Sequence, residues 1–248
     1  MAEGKWISDL KPNTPVVEAA RHVLLARLQV VKDYLPRAAQ ESDDDIEYVH
    51  QLRVGTRRAD AALRIFADCL PKKIQRKARR RLKDLRRAAG AARDWDVFIL
   101  DLLDREQKAD AKHRGGVDFL IGYAQGQRAA AHAELESVYH KEGPRFESFQ
   151  IRAIDAVRPS DDSAAPTVLV DLARPLLFER LKELEQAALA DLNEYGQLHQ
   201  VRIAGKRLRY AMEVLADCFD PTFRESIYPR VEEMQDILGR ANDSHVAV

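Results

Sequence analysis

One segment of this chain occurs twice, and this internal repeat limits the fold more than any other feature of the sequence. Residues 50–58 align with residues 199–207 at an offset of 149 residues, so that His50-Gln51-Leu52-Arg53 matches His199-Gln200-Val201-Arg202. The same offset continues without a gap to residues 94 and 243. A repeat at a fixed spacing indicates that one structural unit was duplicated. We therefore expect a chain of two related halves.

Helical periodicity runs through both copies. In the first long segment, for example, Val23, Leu24, Leu28 and Val31 follow the spacing that places apolar side chains on one face of an α-helix. No segment shows sustained two-residue alternation, so we predict an all-α fold without a sheet. The predicted helices cover roughly residues 15–40, 45–70, 71–90, 95–109, 117–140, 167–192, 194–219 and 222–238.

Glycine, aspartate and proline suggest where some of these helices begin and end. Gly90 can end the third helix in a left-handed cap, and Asp94 can cap the next one. The pair Gly115-Gly116 predicts an interruption before a further helix. Pro175 either kinks its helix or marks the helix start.

A turn-rich polar segment separates the two halves. Residues 157–167 hold two prolines and four serine or aspartate residues, a composition typical of a linker. We predict a first helical-bundle half over residues 1–157, a linker over 158–166 and a second half over 167–248. By analogy with the first half, we expect the last helix of the second half to be short or missing. The predicted architecture is two packed helical bundles produced by the duplication.

Charge is unevenly distributed along the chain, although the formal net charge is zero. Residues 50–96 hold 15 Lys and Arg side chains against 5 Asp and Glu side chains. A local excess of one sign attracts oppositely charged ligands even when the total charge is neutral. The sequence therefore indicates a polyanionic partner for this segment.

Helical geometry converts the repeated basic residues into continuous rows. Steps of three and four residues bring side chains on one side of a helix within about 5–6 Å of each other, and arginine suits bidentate contact with phosphate oxygens. Such a row is repulsive unless an anion or an acidic partner compensates it. The candidates are His50, Arg53, Arg57 and Arg64 with Arg58 on the flank, and His199, Arg202, Lys206 and Arg209 with Arg207 on the flank.

The third predicted helix adds another row, formed by Arg76, Arg80, Lys83 and Arg87. Taken alone, such a row is more typical of a solvated helix face than of a binding site. In the second copy, acidic residues replace part of this row. We therefore expect anion contact to be heavier in the first half than in the second.

The two matched histidines and Tyr210 have open roles. His50 and His199 each precede an arginine by three residues, and each can donate to a phosphate or serve in capping and packing. Tyr210 directly follows Arg209 and can hydrogen-bond a ligand or pack in the core.

Motifs for catalysis and metal binding are absent from the sequence. It contains no His-Glu-x-x-His, no Gly-x-x-x-x-Gly-Lys-Ser/Thr and no Gly-x-Gly-x-x-Gly pattern. The 7 histidines are scattered, and neither Cys69 nor Cys218 has a histidine or a second cysteine at ligand spacing. We expect a protein that is not an enzyme and holds no cofactor or metal.

Cysteine usage and hydropathy indicate the compartment. Two cysteines without a disulfide framework favour a reducing environment. The N-terminus has no apolar run of signal length, and no stretch approaches the ~20 apolar residues that span a bilayer. We expect a cytoplasmic protein without a membrane partner.

At the repeated segments the chain resembles the CHAD family, the conserved histidine α-helical domain. The resemblance rests on residues 49–54 with Arg57-Arg58, on residues 198–203 with residues 206–210, and on residues 90–94. It implies two four-helix bundles related by pseudo-twofold symmetry, with a basic groove or channel between them. It also implies non-catalytic binding of inorganic polyphosphate and, in some members, association with polyphosphate-containing granules.

The resemblance further implies which side chains bind the ligand. Carried over by position, they are His50, Arg53, Arg57, Arg58, His199, Arg202, Lys206, Arg207 and Arg209. Arg80, Lys83 and Arg87 are a looser inference from helix geometry.

Two alternatives stay open beside polyphosphate binding. A nucleic-acid-binding module would use the same basic rows, but few aromatic residues accompany them to stack bases, so we disfavour nucleic acid as a partner. A metal-dependent phosphohydrolase would need metal ligands beside the rows, and the sequence does not provide them at ligand spacing.

Overall fold

The computed structural model describes residues 4–162 and 164–246, and every regular element in that part of the chain is helical. The main helices are α1 (Val16–Gln40), α2 (Glu47–Ile65), α3 (Lys72–Lys108), α4 (Ala111–Glu142), α5 (Phe146–Asp155), α6 (Leu169–Ala188), α7 (Tyr195–Leu215) and α8 (Tyr228–Val246). The described residues form no strand, although one isolated bridge pairs Pro15 with Val168. The all-α prediction is confirmed, with 82% of the described residues in helix. None of the described helices combines the length and apolar character needed to cross a membrane.

The two copies of the repeat adopt the same order of local structure. α2 and α7 carry the aligned segments, and a 3-10 turn follows each of them, at Ala67–Cys69 and at Ala216–Cys218. These turns are separated by the repeat offset of 149 residues. α3 begins directly after the first turn, whereas a π-helical turn, Phe223–Ile227, precedes α8.

Contacts divide the chain into two compact units that interleave along the sequence. Of the described residues, unit 1 contains 25–60 and 72–156, and unit 2 contains 4–24, 61–71 and 157–246. The last change of unit falls at residue 157, where the sequence indicates a linker. Two earlier changes fall inside α1 and α2, so each of these helices supplies residues to both units, and a third falls just before α3.

The core of unit 1 is built mainly by α3 packing along α4. Small and branched apolar side chains of α3 pack against a buried apolar face of α4. The fully buried members include Ala78, Leu82, Leu85, Ala89, Ala92, Ala124 and Leu135. α2 approaches α1 at Gly55, where an added Cβ would lie 3.1 Å from Val30 Cγ1. Because its apolar side packs against α4, α3 exposes its basic side to solvent.

The prediction that the third helix ends at Gly90 is wrong. α3 continues from Lys72 to Lys108 through both Gly90 and Asp94, so Asp94 is not an N-cap. Ala88, Ala89 and Ala92, which surround Gly90 on one side of the helix, are buried in the unit 1 core. Their packing offsets the cost of a glycine in a helix interior, which is only about 1 kcal/mol relative to alanine.

The predicted interruption at Gly115-Gly116 is also wrong, and one of the two roles predicted for Pro175, the helix start, is excluded. α4 runs through Gly115 and Gly116 and begins instead at the N-cap Asp110, whose side chain accepts a hydrogen bond from the His113 backbone nitrogen at 3.0 Å. Pro175 lies in the second turn of α6 and does not mark the start of the helix. Helix-breaking residues therefore mark fewer boundaries here than their local preferences indicate.

A buried ion-pair network holds α3, α4 and the α1–α2 connection together within unit 1. The Asp96 side chain is 0% exposed and accepts a hydrogen bond from Arg128 Nε at 2.7 Å. Arg128 also donates to Asp43 at 2.6 Å and to the carbonyl oxygen of Ser42 at 3.2 Å. His132 lies 3.6 Å from the Asp96 carboxylate and 2.9 Å from Ser42 Oγ. The network fixes the stretch of α3 that immediately follows Arg93 and Asp94.

In unit 2, α7 packs against both α6 and α8. α7 and α8 approach closely at Gly205, where an added Cβ would lie only 2.1 Å from Gln235 Nε2. Tyr228, 1% exposed, donates its hydroxyl to the buried Glu213 carboxylate at 2.9 Å. This packing sets the face of α7 that carries the second copy of the basic row.

Candidate anion-binding faces

Four side chains that carry or can carry positive charge come together in unit 1 around His50. His50, Arg53 and Arg57 belong to α2, Arg93 belongs to α3, and all four are half-buried. Burial lowers the pKa of His50, Glu47 opposes this effect, and the charges of Arg93, Arg53 and Arg57 lower the pKa further. In the free protein these effects favour the neutral form of His50. We call His50, Arg53, Arg57 and Arg93 the α2 cluster.

Arg53 is held by a carboxylate of the neighbouring helix. Its Nη1 donates to Asp94 Oδ1 at 2.7 Å, with 25% of the Arg53 side chain and 71% of the Asp94 side chain exposed. The guanidinium lies against α3 at Gly90, where an added Cβ would be 4.0 Å from Arg53 Cζ. The Arg53 guanidinium is thus positioned at the surface, already in contact with an anionic group.

A row of exposed cations follows one side of α3. Arg76, Arg80, Lys83 and Arg87 are separated by four, three and four residues, and all four side chains are exposed. Within the described part of the chain, none of them has a hydrogen bond or an ion pair. We call these four residues the α3 row. Its cations are therefore available to an anionic ligand.

The other arginines of this segment are used for packing within unit 1. Arg79 donates to Asp60 at 2.9 Å, and Arg86 lies 3.9 Å from the same carboxylate. Arg81 pairs with Glu142 at 2.5 Å. The local excess of positive charge therefore divides into a neutralised set that joins helices and an exposed set that is free to bind.

Two candidates of the first predicted row differ from the α2 cluster in their surroundings. Arg58 is only 5% exposed, so its guanidinium is not open to solvent. Arg64 is exposed but belongs to the part of α2 that is assigned to unit 2. The structure therefore brings His50, Arg53 and Arg57 together in unit 1. Arg58 is buried and Arg64 belongs to unit 2, so neither is part of this group.

The second copy of the row lies on α7 in unit 2. His199, Arg202 and Lys206 are half-buried. The Nδ1 atom of His199 and the Nε atom of Arg202 are buried without a hydrogen-bond partner among the described residues. Buried polar atoms are normally paired, and these two nitrogens, like Arg209 Nε on the same helix, are exceptions.

The last residues of the second row have internal partners. Arg209 lies 3.9 Å from the carboxylates of Glu213 and Glu232, and its guanidinium is 5.2 Å from the ring centre of Tyr210. Tyr210 is 7% exposed. Arg207 is exposed and lies 3.7 Å from Glu183. Arg209 and Tyr210 therefore belong to the packing of α7, and Arg207 is partly neutralised.

Sequence reasoning missed Arg93 as a member of the candidate site and assigned Asp94 to helix capping. The repeat gives a signal for Asp94, which matches Asp243, but none for Arg93, which aligns with Asn242. The contact of Asp94 with Arg53 could not be inferred, since it joins positions 41 residues apart on two helices.

Among the described side chains, no group forms an alternative centre of metal or thiol chemistry. In the part of the chain that the structure describes, no group of three or more His, Cys, Asp or Glu side chains is placed to hold a metal ion. Cys69 and Cys218 are buried and form no disulfide. Burial raises the pKa of both thiols, that of Cys218 to about 11, so both stay protonated at neutral pH.

Comparison with known proteins identifies the family. The CHAD domain profile matches residues 22–248, nearly the whole chain. The chain belongs to the CHAD domain family. The resemblance inferred from the repeated segments is thereby confirmed.

Two solved structures are similar to this CHAD domain. The crystal structure of the CHAD domain from the plant Ricinus communis shares 26% identity, with a TM-score of 0.76 over 98% of this chain and 80% of that chain. PptA from Streptomyces chartreusis shares 19% identity, with a TM-score of 0.65 over 94% of this chain and 84% of that chain. The second likeness shows the fold alone. A search of curated protein sequences found no match.

Proposed function

We propose that this protein binds inorganic polyphosphate through the basic faces of α2, α3 and α7 and does not catalyse its hydrolysis. The observation that carries the proposal is the α3 row, four exposed cations without an ion pair among the described residues. A polyphosphate chain presents negative charge at every phosphate. A straight series of cations on one helix side matches such a ligand better than it matches a compact anion.

The α2 cluster supports the same ligand by different means. Its cations are half-buried, so their charges are less screened by water than those of the α3 row. The arginine forks can donate two hydrogen bonds to one phosphate group. We infer that the α2 cluster fixes individual phosphates, while the α3 row attracts and guides the chain.

The corresponding face of α7 provides a second, weaker contact. His199, Arg202 and Lys206 match His50, Arg53 and Arg57 in the repeat, and we infer that the two faces are copies of one ancestral binding face. Arg209 and Arg207 already face carboxylates. Binding should therefore depend more on unit 1 than on unit 2. For the cellular role, we propose a cytoplasmic location with association with polyphosphate-containing granules.

One observation favours single-stranded nucleic acid as a second candidate ligand. Trp95 makes edge-on ring contacts with Phe98 and Tyr123, at centroid distances of 5.9 and 6.2 Å. Phe98 is 39% exposed and Tyr123 54% exposed. Exposed aromatic rings near a basic helix side can stack bases while the cations contact phosphates. The sequence alone did not reveal this grouping, because α3 and α4 bring the three rings together.

A competition experiment separates the two ligands. With the protein bound to labelled long-chain polyphosphate, unlabelled polyphosphate should displace the label at a phosphate concentration at least about tenfold lower than single-stranded RNA or duplex DNA, because no base has to be accommodated. Equal competition by RNA, lost on replacing Tyr123 by alanine, would make nucleic acid the ligand instead.

Binding should also depend on pH through His50. A phosphate that contacts His50 favours the imidazolium form and so raises the pKa of His50, which burial and neighbouring arginines lower in the free protein. Affinity is then independent of pH above the bound-state pKa, rises as the pH falls below it, and levels off below the free-state pKa. Titration of long-chain polyphosphate from mildly alkaline to mildly acidic pH measures the rise, which should be several-fold.

The His50→Gln variant is the control for this pH dependence. Arg53, Arg57 and Arg93 stay charged throughout the range, and phosphate end groups act in the opposite sense because they gain protons near pH 6. Long chains have few ends, which keeps that contribution small. A rise that persists unchanged in His50→Gln would show that His50 does not touch the ligand.

A further inference from the structure

In the free protein, the carboxylate of Asp94 is bonded to the guanidinium group with which Arg53 would bind a ligand. Arg53 Nη1 donates to Asp94 Oδ1 at 2.7 Å, the contact that a phosphate oxygen would make with the same nitrogen. We propose that Asp94 is an internal competitor, whose carboxylate holds Arg53 in its binding position and must be displaced by the incoming phosphate. This inference rests on the proposed function and concerns the regulation of affinity at the same site.

The exposure of the pair allows such an exchange. The Asp94 side chain is 71% exposed, so it can leave Arg53 and be solvated at little cost. Arg53 is 25% exposed, so its guanidinium can be reached from solvent while the aliphatic part of its side chain stays packed. The Asp96 pair with Arg128, in contrast, has a carboxylate with 0% exposure and cannot open without disrupting the core.

The position of Asp94 on α3 supports a role in ligand binding. Seven residues, two helical turns or about 10 Å along the axis, separate it from Arg87, so it lies on the same side of α3 as the α3 row. It therefore stands where the row meets Arg53 of the α2 cluster. A phosphate chain that follows Arg80, Lys83 and Arg87 would next reach the carboxylate of Asp94.

Competition by a carboxylate has two consequences for the ligand. Without ligand, Asp94 keeps Arg53 of the α2 cluster paired and in place. A phosphate must also offer more than one contact to displace it, so a chain that engages the α3 row at the same time has an advantage over a free phosphate ion. Asp94 would thus weaken binding of small anions and keep binding of long chains reversible.

The test is the affinity of the full-length Asp94→Ala variant for long-chain polyphosphate, measured beside the wild type. Loss of the competing charge-assisted hydrogen bond should tighten binding by about fivefold, the upper end of what an exposed ion pair contributes. The gain should persist at raised salt, because displacement of a bonded carboxylate is less screened than repulsion at a distance. Circular dichroism and thermal melting check that the exposed substitution leaves the fold intact.

Asp84→Ala is the matched control. Asp84 is an exposed carboxylate on the same helix, and it makes no hydrogen bond or ion pair in the described part of the chain. Its removal also deletes one negative charge, but it should tighten binding by less than about threefold and only at low salt. Equal gains in the two variants, or weaker binding by Asp94→Ala, would overturn the competitor role and make Asp94 a mere local charge or an orienting group for Arg53. A wild type that does not bind polyphosphate would overturn the proposed function itself.

Discussion

Replacing Asp96 with alanine is expected to lower the free energy of unfolding by about 3 kcal/mol at pH 7, because removing one partner of a buried ion pair leaves the other without compensation. The Asp96 carboxylate is 0% exposed, and Arg128 donates to it at 2.7 Å. Arg128 keeps a bond to Asp43 and is itself 20% exposed, which places the expected loss near the lower end of the range for buried pairs. Denaturant unfolding of both proteins measures the difference.

Asp43→Ala provides the matched comparison, since Asp43 bonds the same arginine at 2.6 Å but is 88% exposed. Exposed ion pairs contribute at most about 1 kcal/mol, so this variant should be close to the wild type. If Asp43→Ala lowers the free energy of unfolding as much as Asp96→Ala does, burial of the Asp96 carboxylate does not explain the stabilising effect of its ion pair.

The stability difference should depend on pH in a defined direction. Burial raises the pKa of Asp96, but the nearby His132 and the hydrogen bond and charge of Arg128 more than offset it, so the pKa lies below its usual value. A depressed carboxyl pKa contributes stability above the unfolded-state pKa of about 3.9 and loses it as the pH falls through the folded-state pKa. The wild type and Asp96→Ala should therefore differ fully at neutral pH and converge in acid. A difference that stays constant down to acid pH would contradict this assignment.

Most helices of this chain follow from its local pattern. The first helix was predicted over about residues 15–40 and is found at Val16–Gln40, because its apolar positions have unbroken helical spacing. The helix ends were less predictable. Gly90 and Asp94 carry strong local signals for a boundary, yet α3 continues through both because its alanines are buried against other helices. Such burial depends on tertiary contacts that a local pattern does not contain.

The candidate site was predictable to a similar extent. Spacing of three and four residues correctly placed Arg80, Lys83 and Arg87 along one exposed side of α3. It could not distinguish them from Arg79 and Arg81 in the same helix, which are neutralised by Asp60 and Glu142. Those carboxylates lie 19 and 61 residues away in sequence, so only the fold shows which cations stay free.

Reversing the charge of three α3-row residues should remove most of the polyphosphate affinity. In the variant Arg80→Glu/Lys83→Glu/Arg87→Glu, three contacts to phosphate are lost and three repulsive charges are added. Each lost contact also removes the release of about one counterion, so affinity should fall by more than about 100-fold at moderate salt. The fold should be retained, because all three side chains are exposed and have no ion pair within the described residues.

A control with the same change in net charge separates local contact from overall charge. Lys112→Glu/Arg114→Glu/Lys141→Glu reverses three exposed cations of α4 that lie outside the proposed faces. Its long-range effect on a polyanion should be screened beyond about 8–10 Å at physiological salt. We expect this variant to lose less than about fivefold in affinity at that ionic strength.

The most direct measurement is the salt dependence of long-chain polyphosphate affinity for the wild type and for these two triple variants. If basic helix faces bind the phosphate chain, the logarithm of the wild-type affinity should fall with the logarithm of salt concentration with a slope of several units. The slope should drop by about three in the α3-row variant and stay unchanged in the α4 control. A flat wild-type slope, or equal slopes and affinities in all three proteins, would contradict binding by these faces.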